Sequence, residues 1–351
     1  MSKFLNSKLL ALETYVPGEQ PQDKRYIKLN TNESPFPPSK NVINAVDRAS
    51  VENLRLYCNP DATTLKSELA KVYGVKIENI FVANGSDDIL NFAFLAFGEN
   101  GVAFPNISYG FYEVFAKFHG IDYKTPQLNE DFTVNIADYK ANDRMIVIAN
   151  PNAPTGIALS LDEIREIIEA NPDRVVLIDE AYVDFGAESC AALTRVYDNL
   201  LCVMTFSKSR SMAGARLGFA IASRAIIDDL EKIKFSTNPY NVNSLTQIAG
   251  VATLLDNGYY ADNCKKIIKN REYTVAALQR LGFTVLPSKA NFVFVKHQKI
   301  GGEELYLLLK EKGILVRHFE RERIRDFNRI TIGNRREMEA LVATLKNIVE
   351  E

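Results

Sequence analysis

The chain is predicted to adopt an α/β fold in which a mostly parallel central sheet is flanked by helices. From about residue 65 to residue 235, short apolar runs alternate with amphipathic segments, as in sheets whose strands are joined by crossover helices. The apolar runs are short and uninterrupted, which is typical of strands covered on both faces. After Asn238-Pro239 the pattern changes to long helical segments, and this change indicates a second, smaller α+β domain.

Residues 1–35 are predicted to form an extended N-terminal arm. The segment contains Pro17-Gly18, Pro21 and Pro35, and Pro37-Pro38 follows directly. Prolines at this density oppose regular helix, and the segment has too few apolar residues to form a core alone. We expect the arm to lie across the two domains.

Residues 36–240 are predicted to form a large domain that carries the central sheet. Its helix after the third strand begins at a capping box, because Glu163 follows Ser160 by three residues ahead of a periodic apolar segment. The predicted strands are 80–83, 101–104, 145–149, 175–179, 201–206 and 217–221.

Residues 241–351 are predicted to form the small domain. Helical patterns extend to about residue 281, and a second capping box, Asn334 with Glu337, opens the last helix. Between them the sequence predicts strands at 283–286, 292–295 and 314–317, with a helix at 303–312.

Composition excludes several classes of function. The 351 residues include 42 basic and 44 acidic side chains, so the formal charge is −2. This balance offers no electrostatic basis for binding nucleic acid or an anionic membrane, and we expect neither partner. Apolar runs fall short of the roughly 20 residues that span a bilayer, and the N-terminus lacks a signal-peptide pattern. A cytoplasmic location is expected.

The cysteines and histidines do not form a metal-binding pattern. Four cysteines and three histidines are scattered along the chain, with no CxxC pair and no zinc-ligand spacing. We therefore expect reduced thiols and no metal site.

Ligands of open α/β sheets bind beyond the carboxyl ends of the strands, so the residues that follow each apolar run are candidates. After strand 80–83 comes Asn84-Gly85-Ser86-Asp87-Asp88, a glycine turn that opens onto a helix. Free amides and the positive end of a helix can bind a phosphate. An ordinary capped turn has the same pattern.

Two more strand ends carry polar residues. The turn 150–156 reads Asn-Pro-Asn-Ala-Pro-Thr-Gly, which by itself is a structural turn. Strand 175–179 ends in Asp179, and Tyr182 follows three residues later. Alone, an acidic residue at a strand end is weak support for a site.

The fourth candidate follows strand 201–206. Lys208 is flanked by hydroxyl residues, and Arg216 comes eight residues later. Most lysines are surface charges, but hydroxyls, small residues and an arginine also suit a phosphate pocket around an amine nucleophile, which attacks carbonyls to form a Schiff base.

The four motifs in this order, each after a strand, resemble the class I and II aminotransferases of fold type I, which depend on pyridoxal 5'-phosphate. The resemblance covers nearly the whole chain. It implies that Lys208 holds the cofactor as a Schiff base and moves the proton of the substrate carbon. It also implies that Asp179 pairs with the pyridine nitrogen and that Tyr182 hydrogen-bonds the phenolic oxygen.

The same resemblance implies a set of residues that hold the rest of the cofactor. Tyr109 would stack on the ring, and the other residues would surround the phosphate: Gly85, Ser86, Asp87, Thr205, Ser207 and Arg216. One position departs from the family pattern, because Ala153 stands where an asparagine commonly contacts the ring oxygen. Asn152 is the residue expected to substitute. Loss of one neutral hydrogen bond costs about 0.5–1.5 kcal/mol, so activity need not be lost.

Within the family, the chain is most similar to the histidinol-phosphate aminotransferases. That similarity implies reversible amino transfer between L-histidinol phosphate with 2-oxoglutarate and imidazole-acetol phosphate with L-glutamate. It implies a homodimer with shared active sites, in which Tyr57 reaches the neighbouring subunit's cofactor and substrate. The substrate-binding residues that it implies are Tyr15, Asn32, Tyr57, Arg317 and Arg329.

The sequence is also compatible with other activities. An aromatic-amino-acid aminotransferase or a threonine-phosphate decarboxylase-like enzyme would share most of the cofactor site. A pyridoxal-phosphate-binding regulator is opposed by the presence of Lys208 and by cofactor motifs that begin close to the N-terminus. A nicotinamide-dependent enzyme is opposed because no GxGxxG turn follows the first strands.

Overall fold

A computed structural model describes residues 4–9 and 12–350 of the chain. Residues 1–3, 10 and 11 of the predicted arm, and residue 351 of the predicted small domain, lie outside the described residues. The helices are α1 (Lys40–Ala45), α2 (Arg48–Glu52), α3 (Thr63–Tyr73), α4 (Gly85–Phe97), α5 (Phe111–His119), α6 (Leu161–Glu169), α7 (Arg224–Thr237), α8 (Ser244–Leu255), α9 (Asn257–Arg280), α10 (Gly302–Glu311) and α11 (Arg335–Glu350).

The strands form three sheets. They are β1 (Ile27–Lys28), β2 (Ile80–Ala83), β3 (Val102–Ala103), β4 (Tyr123–Lys124), β5 (Met145–Ala149), β6 (Val176–Asp179), β7 (Leu200–Thr205), β8 (Gly218–Ala222), β9 (Phe283–Val285), β10 (Phe292–His297), β11 (Ile314–Leu315), β12 (Arg317–His318) and β13 (Asn328–Thr331).

The largest sheet has seven strands in the order β2-β8-β7-β6-β5-β3-β4. Strand β8 is antiparallel to both of its neighbours, and the other pairs are parallel. Strands β2, β5, β6, β7 and β8 are buried along their whole length. The predicted mixed, mostly parallel sheet is therefore confirmed.

Alternate residues of this sheet belong to two different cores. In β5, Ile146 and Ile148 pack with helices α1, α3, α6 and α8, whereas Met145 and Val147 pack with α4, α5 and α7 on the other face. This follows from the two-residue period of a strand. Each fully buried aliphatic side chain stabilises the fold by about 1.5–3 kcal/mol, so both helical layers hold the sheet.

The C-terminal part of the chain has its own core. Strands β12-β13-β10-β9 form an antiparallel sheet, and helices α9, α10 and α11 pack on it. The core changes within α9, because Tyr260 packs with the large sheet and Cys264 packs with the small one. Helix α8 contacts the large-domain helices α1 and α3, so this change comes later in the chain than the predicted boundary at residue 240.

Local predictions can be compared with the observed elements. Both capping boxes are present: Ser160 N donates to Glu163 Oε2 at 2.7 Å, and Asn334 N donates to Glu337 Oε2 at 2.7 Å. The single strand predicted at 314–317 is wrong. It divides into β11, which pairs with β1 of the arm, and β12, which pairs with β13, because the chain changes partners at Val316. No helix in the described part of the chain combines the length and apolar character that crossing a membrane requires.

Candidate active site

The residues that follow β2, β6 and β7 meet at one edge of the large sheet and enclose a cavity. Parallel strands place their carboxyl ends at the same edge, which is why these separate segments converge. The residues that line the cavity include Ser86, Asp87, Tyr109, Ala153, Asp179, Tyr182, Thr205, Ser207, Lys208 and Arg216. Nine of these ten residues are predicted from the sequence to hold the cofactor. The tenth, Ala153, stands where the family commonly has an asparagine.

Two glycines shape the turn between β2 and α4. Gly85 has a φ of 81°, a left-handed conformation that favours glycine. Gly218 lies so close to this turn that a Cβ atom there would come within 2.4 Å of the backbone C of Gly85 and N of Ser86. Helix α4 therefore begins directly against β8, with its positive N-terminal end at the cavity.

Arg216 lies beside the same turn. Its Nη2 donates to Asp87 Oδ2 at 2.8 Å, and Tyr109 donates from its hydroxyl to Asp87 Oδ1 at 2.9 Å. A Cβ atom on Gly85 would come within 2.6 Å of Arg216 Nη2, so the glycine permits the guanidinium to approach the helix end. These groups form one compact corner of the cavity, in which the Arg216 guanidinium is ion-paired with the Asp87 carboxylate.

Two hydroxyl groups complete this corner. Thr205 Oγ1 and Ser207 Oγ are 3.0 Å apart, and Ser207 N donates to Thr205 Oγ1 at 3.1 Å. A guanidinium, free amides at a helix start and neighbouring hydroxyls are the donors that proteins use for phosphate. The residues present therefore fit a phosphate group.

Asp179 lies at the end of β6 and is buried. Its Oδ2 accepts a hydrogen bond from the Tyr112 hydroxyl at 2.8 Å, and its Oδ1 accepts one from Ala181 N at 3.2 Å. Burial raises the pKa of Asp179 from 3.8 to about 6, and the hydrogen bonds from Tyr112 and Ala181 oppose this shift. A buried carboxylate of this kind is suited to binding a cationic ring nitrogen.

Lys208 and Tyr182 also line the cavity. Lys208 Nζ donates to the carbonyl oxygen of Thr31 at 3.3 Å and lies 5.8 Å from the ring centroid of Tyr182. The Tyr182 oxygen accepts a hydrogen bond from Asn32 Nδ2 at 3.0 Å. The ring of Tyr182 packs edge-to-face on Phe292, which orients the phenol.

A larger cleft of about 560 Å³ adjoins this cavity and shares Tyr109, Tyr182 and Lys208 with it. Its other walls come from the N-terminal arm, from α5 and the neighbouring loops of the large domain, and from the small domain. The predicted substrate residues among its lining are Tyr15, Asn32, Arg317 and Arg329.

Arg329 lies in the floor of this cleft. Its Nη2 donates to the Asn30 carbonyl oxygen at 2.9 Å, and its buried Nε has no hydrogen-bond partner among the described residues. The guanidinium lies 5.4 Å from the ring centroid of Phe292, and burial lowers the pKa of Arg329. A cation whose donors are incompletely paired favours an anionic ligand.

Arg317 is the cross-strand neighbour of Arg329. It donates from Nη1 to Pro17 O at 3.1 Å and from Nη2 to Val16 O at 3.0 Å, so it holds the arm over the cleft. Next to this contact, Tyr15 stacks on Phe111 with 4.2 Å between ring centroids. Desolvation by burial raises the pKa of Tyr15, which therefore stays a neutral hydrogen-bond donor.

Two predicted residues are not brought to the site. Asn152 does not line the cavity, because its buried side chain donates to Ile107 O and Thr155 Oγ1, both at 3.0 Å, and accepts from Ser108 at 2.9 Å. The methyl group of Ala153 lines the cavity instead, so Asn152 does not substitute for the missing amide. Tyr57 is 83% exposed and stacks on Tyr240, away from the cavity of its own chain.

Sequence reasoning missed Tyr112 and Thr31. Tyr112 lies in the first turn of α5, three residues after Tyr109, which precedes the helix, and the two rings pack edge-to-face with 5.7 Å between centroids. This proximity in sequence was the available signal. Thr31 contributes only its carbonyl oxygen, for which the side chain offers no signal.

Glu180 points away from the cavity, since successive strand residues face opposite sides. It accepts hydrogen bonds from Ser189 Oγ at 2.5 Å and Cys190 N at 2.6 Å. With Cys190 and Cys202 it forms a buried group whose candidate ligand atoms lie within 4.8 Å of one another. Its oxygens are engaged by these protein donors, and we assign the group a structural role.

Comparison with known proteins agrees with this geometry. The family model "Aminotransferase class I and II" matches residues 24–345. A histidinol-phosphate aminotransferase of Brachyspira hyodysenteriae is 50% identical over 100% of both chains. One of Marinomonas sp. is 48% identical over 99% of this chain and 100% of that one.

Solved structures show the same architecture. The histidinol-phosphate aminotransferase of Clostridium acetobutylicum superposes with a TM-score of 0.86 at 25% identity, covering 92% of this chain and 99% of that one. The enzyme of Sinorhizobium meliloti, in complex with pyridoxal-5'-phosphate, has a TM-score of 0.84 at 22% identity, covering 93% and 92%.

Proposed function

Since the chain belongs to the class I and II aminotransferase family, we propose that it transfers an amino group reversibly between L-histidinol phosphate and 2-oxoglutarate. The products are imidazole-acetol phosphate and L-glutamate, and the reaction is a step of histidine biosynthesis. Relatives that are 42–50% identical over their full length are named histidinol-phosphate aminotransferase. The structural observation that carries the proposal is the pair Arg317 and Arg329 beside Lys208 in one cleft.

Pyridoxal 5'-phosphate is the cofactor of this family, and the cavity fits it. The donors of Ser86, Thr205, Ser207 and Arg216 suit the phosphate of the cofactor, and the carboxylate of Asp179 suits its ring nitrogen. When bound, the cofactor supplies an electron sink that stabilises the negative charge left on the substrate carbon after proton loss.

The residues of the chain position this chemistry and move the proton. Lys208 Nζ is the amine that would hold the cofactor and that would accept and return the proton of the substrate carbon. Asp179 would hold the ring nitrogen and favour its protonated form. Tyr182, whose oxygen accepts a hydrogen bond from Asn32, would donate its hydroxyl to the ring oxygen.

The two arginines account for a phosphorylated substrate. Arg317 and Arg329 face each other across β12 and β13, and like charges in directly opposite positions destabilise a sheet unless an anion lies between them. A phosphate provides more acceptor oxygens than one guanidinium can use, so it can join both. The carboxylate of glutamate would use the same donors in the second half of the reaction.

The active sites are proposed to be shared in a homodimer. Tyr57 is exposed, lies outside the cavity of its own chain, and has exposed Leu54 and Leu56 close by in sequence. In this arrangement Tyr57 of the partner subunit reaches the cofactor phosphate and the substrate phosphate. The cytoplasmic location expected from the sequence stays a prediction.

The test is a comparison of amino donors with the purified, cofactor-loaded protein. L-Histidinol phosphate, L-phenylalanine, L-tyrosine and L-threonine phosphate are assayed with 2-oxoglutarate, and release of carbon dioxide is measured in parallel. We expect kcat/KM to be highest for histidinol phosphate. Preference for an unphosphorylated aromatic amino acid, or decarboxylation of threonine phosphate, would overturn the substrate assignment.

Two variants link this preference to the cleft. Arg317→Gln is expected to raise KM for histidinol phosphate about 10- to 100-fold, because a charge-assisted hydrogen bond contributes about 1.5–3 kcal/mol. Arg335→Gln is the control, since Arg335 is exposed and pairs with Glu339 on α11. Equal KM values for the two variants would contradict the role of Arg317.

A further inference from the structure

Tyr112 is a buried phenol whose hydroxyl is directed at the active-site carboxylate. It lies in the first turn of α5, and its oxygen is 2.8 Å from Asp179 Oδ2. Tyr112 does not line the cavity and so does not touch a ligand there. Its contact with the site is made through Asp179.

The ring of Tyr112 is fixed by other aromatic side chains. It packs edge-to-face on Phe104 and on Tyr109, with 5.7 Å between centroids in both pairs, and stacks on Phe94 at 6.4 Å. A ring held on several sides has little rotational freedom, so its hydroxyl stays at one position. Burial also raises the pKa of Tyr112 well above 10, so it remains a donor at every working pH.

The carboxylate has one protein donor on each oxygen. Tyr112 occupies Oδ2 and Ala181 N occupies Oδ1, and together they set the rotation of the carboxylate plane. The other charged and titratable groups around Asp179 are Asp87, Lys208, and, through Tyr112, Tyr109 and Tyr182. Of these, Lys208 favours the ionised carboxylate and Asp87 opposes it.

We propose that Tyr112 is a positioning residue that orients Asp179 and keeps it ionised for the pyridine nitrogen of the cofactor. The inference rests on the proposed function, because it concerns the cofactor of that reaction. Hydrogen bonds to a charged carboxylate favour the charged form. Without the phenol, Asp179 Oδ2 loses its hydrogen bond from Tyr112, and the carboxylate binds a cationic ring nitrogen less well.

The spectrum of the bound cofactor reports this effect. A positive charge on the ring nitrogen disfavours protonation of the nitrogen that joins the cofactor to Lys208, so a weaker Asp179 contact raises the pH midpoint of the visible absorption change. We expect the midpoint of Tyr112→Phe to move in the same direction as that of Asp179→Asn, by a smaller amount. The dissociation constant of the cofactor should rise about tenfold.

The control is a second buried tyrosine. Tyr139 is buried, remote from the cavity, and its hydroxyl has no hydrogen-bond partner among the described residues. Tyr139→Phe removes the hydroxyl of a buried tyrosine that lines neither the cavity nor the cleft, and should leave both the midpoint and the cofactor affinity unchanged. Circular-dichroism melting of each variant verifies that the fold is retained.

A double-mutant cycle separates a role through Asp179 from a general effect on stability. If Tyr112 acts through the carboxylate, Tyr112→Phe should change the midpoint and the affinity little when Asp179 is already Asn. An unchanged midpoint in Tyr112→Phe, with a clear shift in Asp179→Asn, would overturn the inference and leave the proposed function intact. A wild-type protein that binds no pyridoxal phosphate would overturn both.

Discussion

Lys208 is the only lysine that lines the cofactor cavity within the described residues. Its Nζ lies beside Thr31 and Tyr182, where an amine can reach both a bound cofactor and a substrate carbon. This placement makes the residue an acid and base as well as a point of attachment, since one group near the reacting carbon can serve each step in turn.

Lys208→Ala is expected to lower kcat by a factor of about 10²–10⁴ or more, because the proton-transfer group is removed. The visible band of the bound cofactor should also shift toward that of the free aldehyde. Lys232→Ala is the control, because Lys232 is exposed on α7. A Lys208→Ala protein with wild-type turnover would rule out the mechanism.

Asp179 makes the stability of the cofactor-free protein depend on pH. Its pKa is about 6 in the folded protein and 3.8 in the reference state, so the folded form binds more protons between these values. Stability from this group is therefore greatest at low pH and falls as the pH rises through about 6. The raised pKa reflects the free-energy cost of burying the ionised carboxylate.

Asp179→Asn is neutral at every pH and should remove this cost. We expect it to raise the free energy of unfolding of the cofactor-free protein at pH 8 by up to about 3 kcal/mol, and by much less at pH 4.5. Urea unfolding at the two pH values measures the difference. Asp228→Asn, at an exposed position of α7, is the control substitution. Destabilisation by Asp179→Asn at pH 8 would contradict the account.

At the level of elements, the proposed phosphate site at the start of α4 depends on how closely β8 approaches that helix. Gly218 pairs with Ala83 at the end of β2 and lies against Gly85 and Ser86 at the start of α4. The contact is between backbone atoms, which cannot turn aside as a flexible side chain can. The position of the α4 amides is thus coupled to the absence of a side chain at residue 218.

Gly218→Ala should displace the start of α4 and weaken cofactor binding. Inserting a methyl group into a packed contact costs about 1–3 kcal/mol, so we expect the dissociation constant of pyridoxal phosphate to rise about 10-fold or more. Gly258→Ala is the matched control, because a Cβ atom there meets nothing within 4 Å. Similar cofactor affinity in both variants would exclude this coupling.

At the level of the whole molecule, the arm and the small domain close the cleft that the large sheet opens. Strand β1 of the arm pairs with β11, and Arg317 ties the arm to the edge of the small sheet. Tyr57 remains outside the site of its own chain. The proposed homodimer accounts for this exposed aromatic residue by assigning it to the other active site.

Subunit complementation tests the shared site. A mixture of Tyr57→Ala and Lys208→Ala subunits, refolded together, forms hybrid dimers with one fully native site. We expect activity to rise above that of either variant, approaching about a quarter of wild type for random pairing. Tyr240→Phe serves as a control for local packing, since it keeps the ring that stacks on Tyr57. No recovery in the mixture would contradict shared sites.

Much of the site could be predicted because it lies where strands end. Ser86, Asp179 and Lys208 lie at or just after the ends of parallel strands, which converge regardless of the details of packing, and Arg216 lies at the same edge because it precedes the antiparallel strand β8. Asn152 was the exception among these turns. Its position in the turn suggested a contact, but its amide is used by Ile107, Ser108 and Thr155.

The alternation of strands and helices, the capping boxes and the order of the motifs could all be predicted from the sequence, since they depend on local periodicity and on short-range hydrogen bonds. The donors that surround each functional group depend on the tertiary structure. Tyr112 reaches Asp179 across 67 residues, and Arg329 meets Asn30 across 299. Such partners are set by packing between distant segments, which no local pattern in the chain encodes.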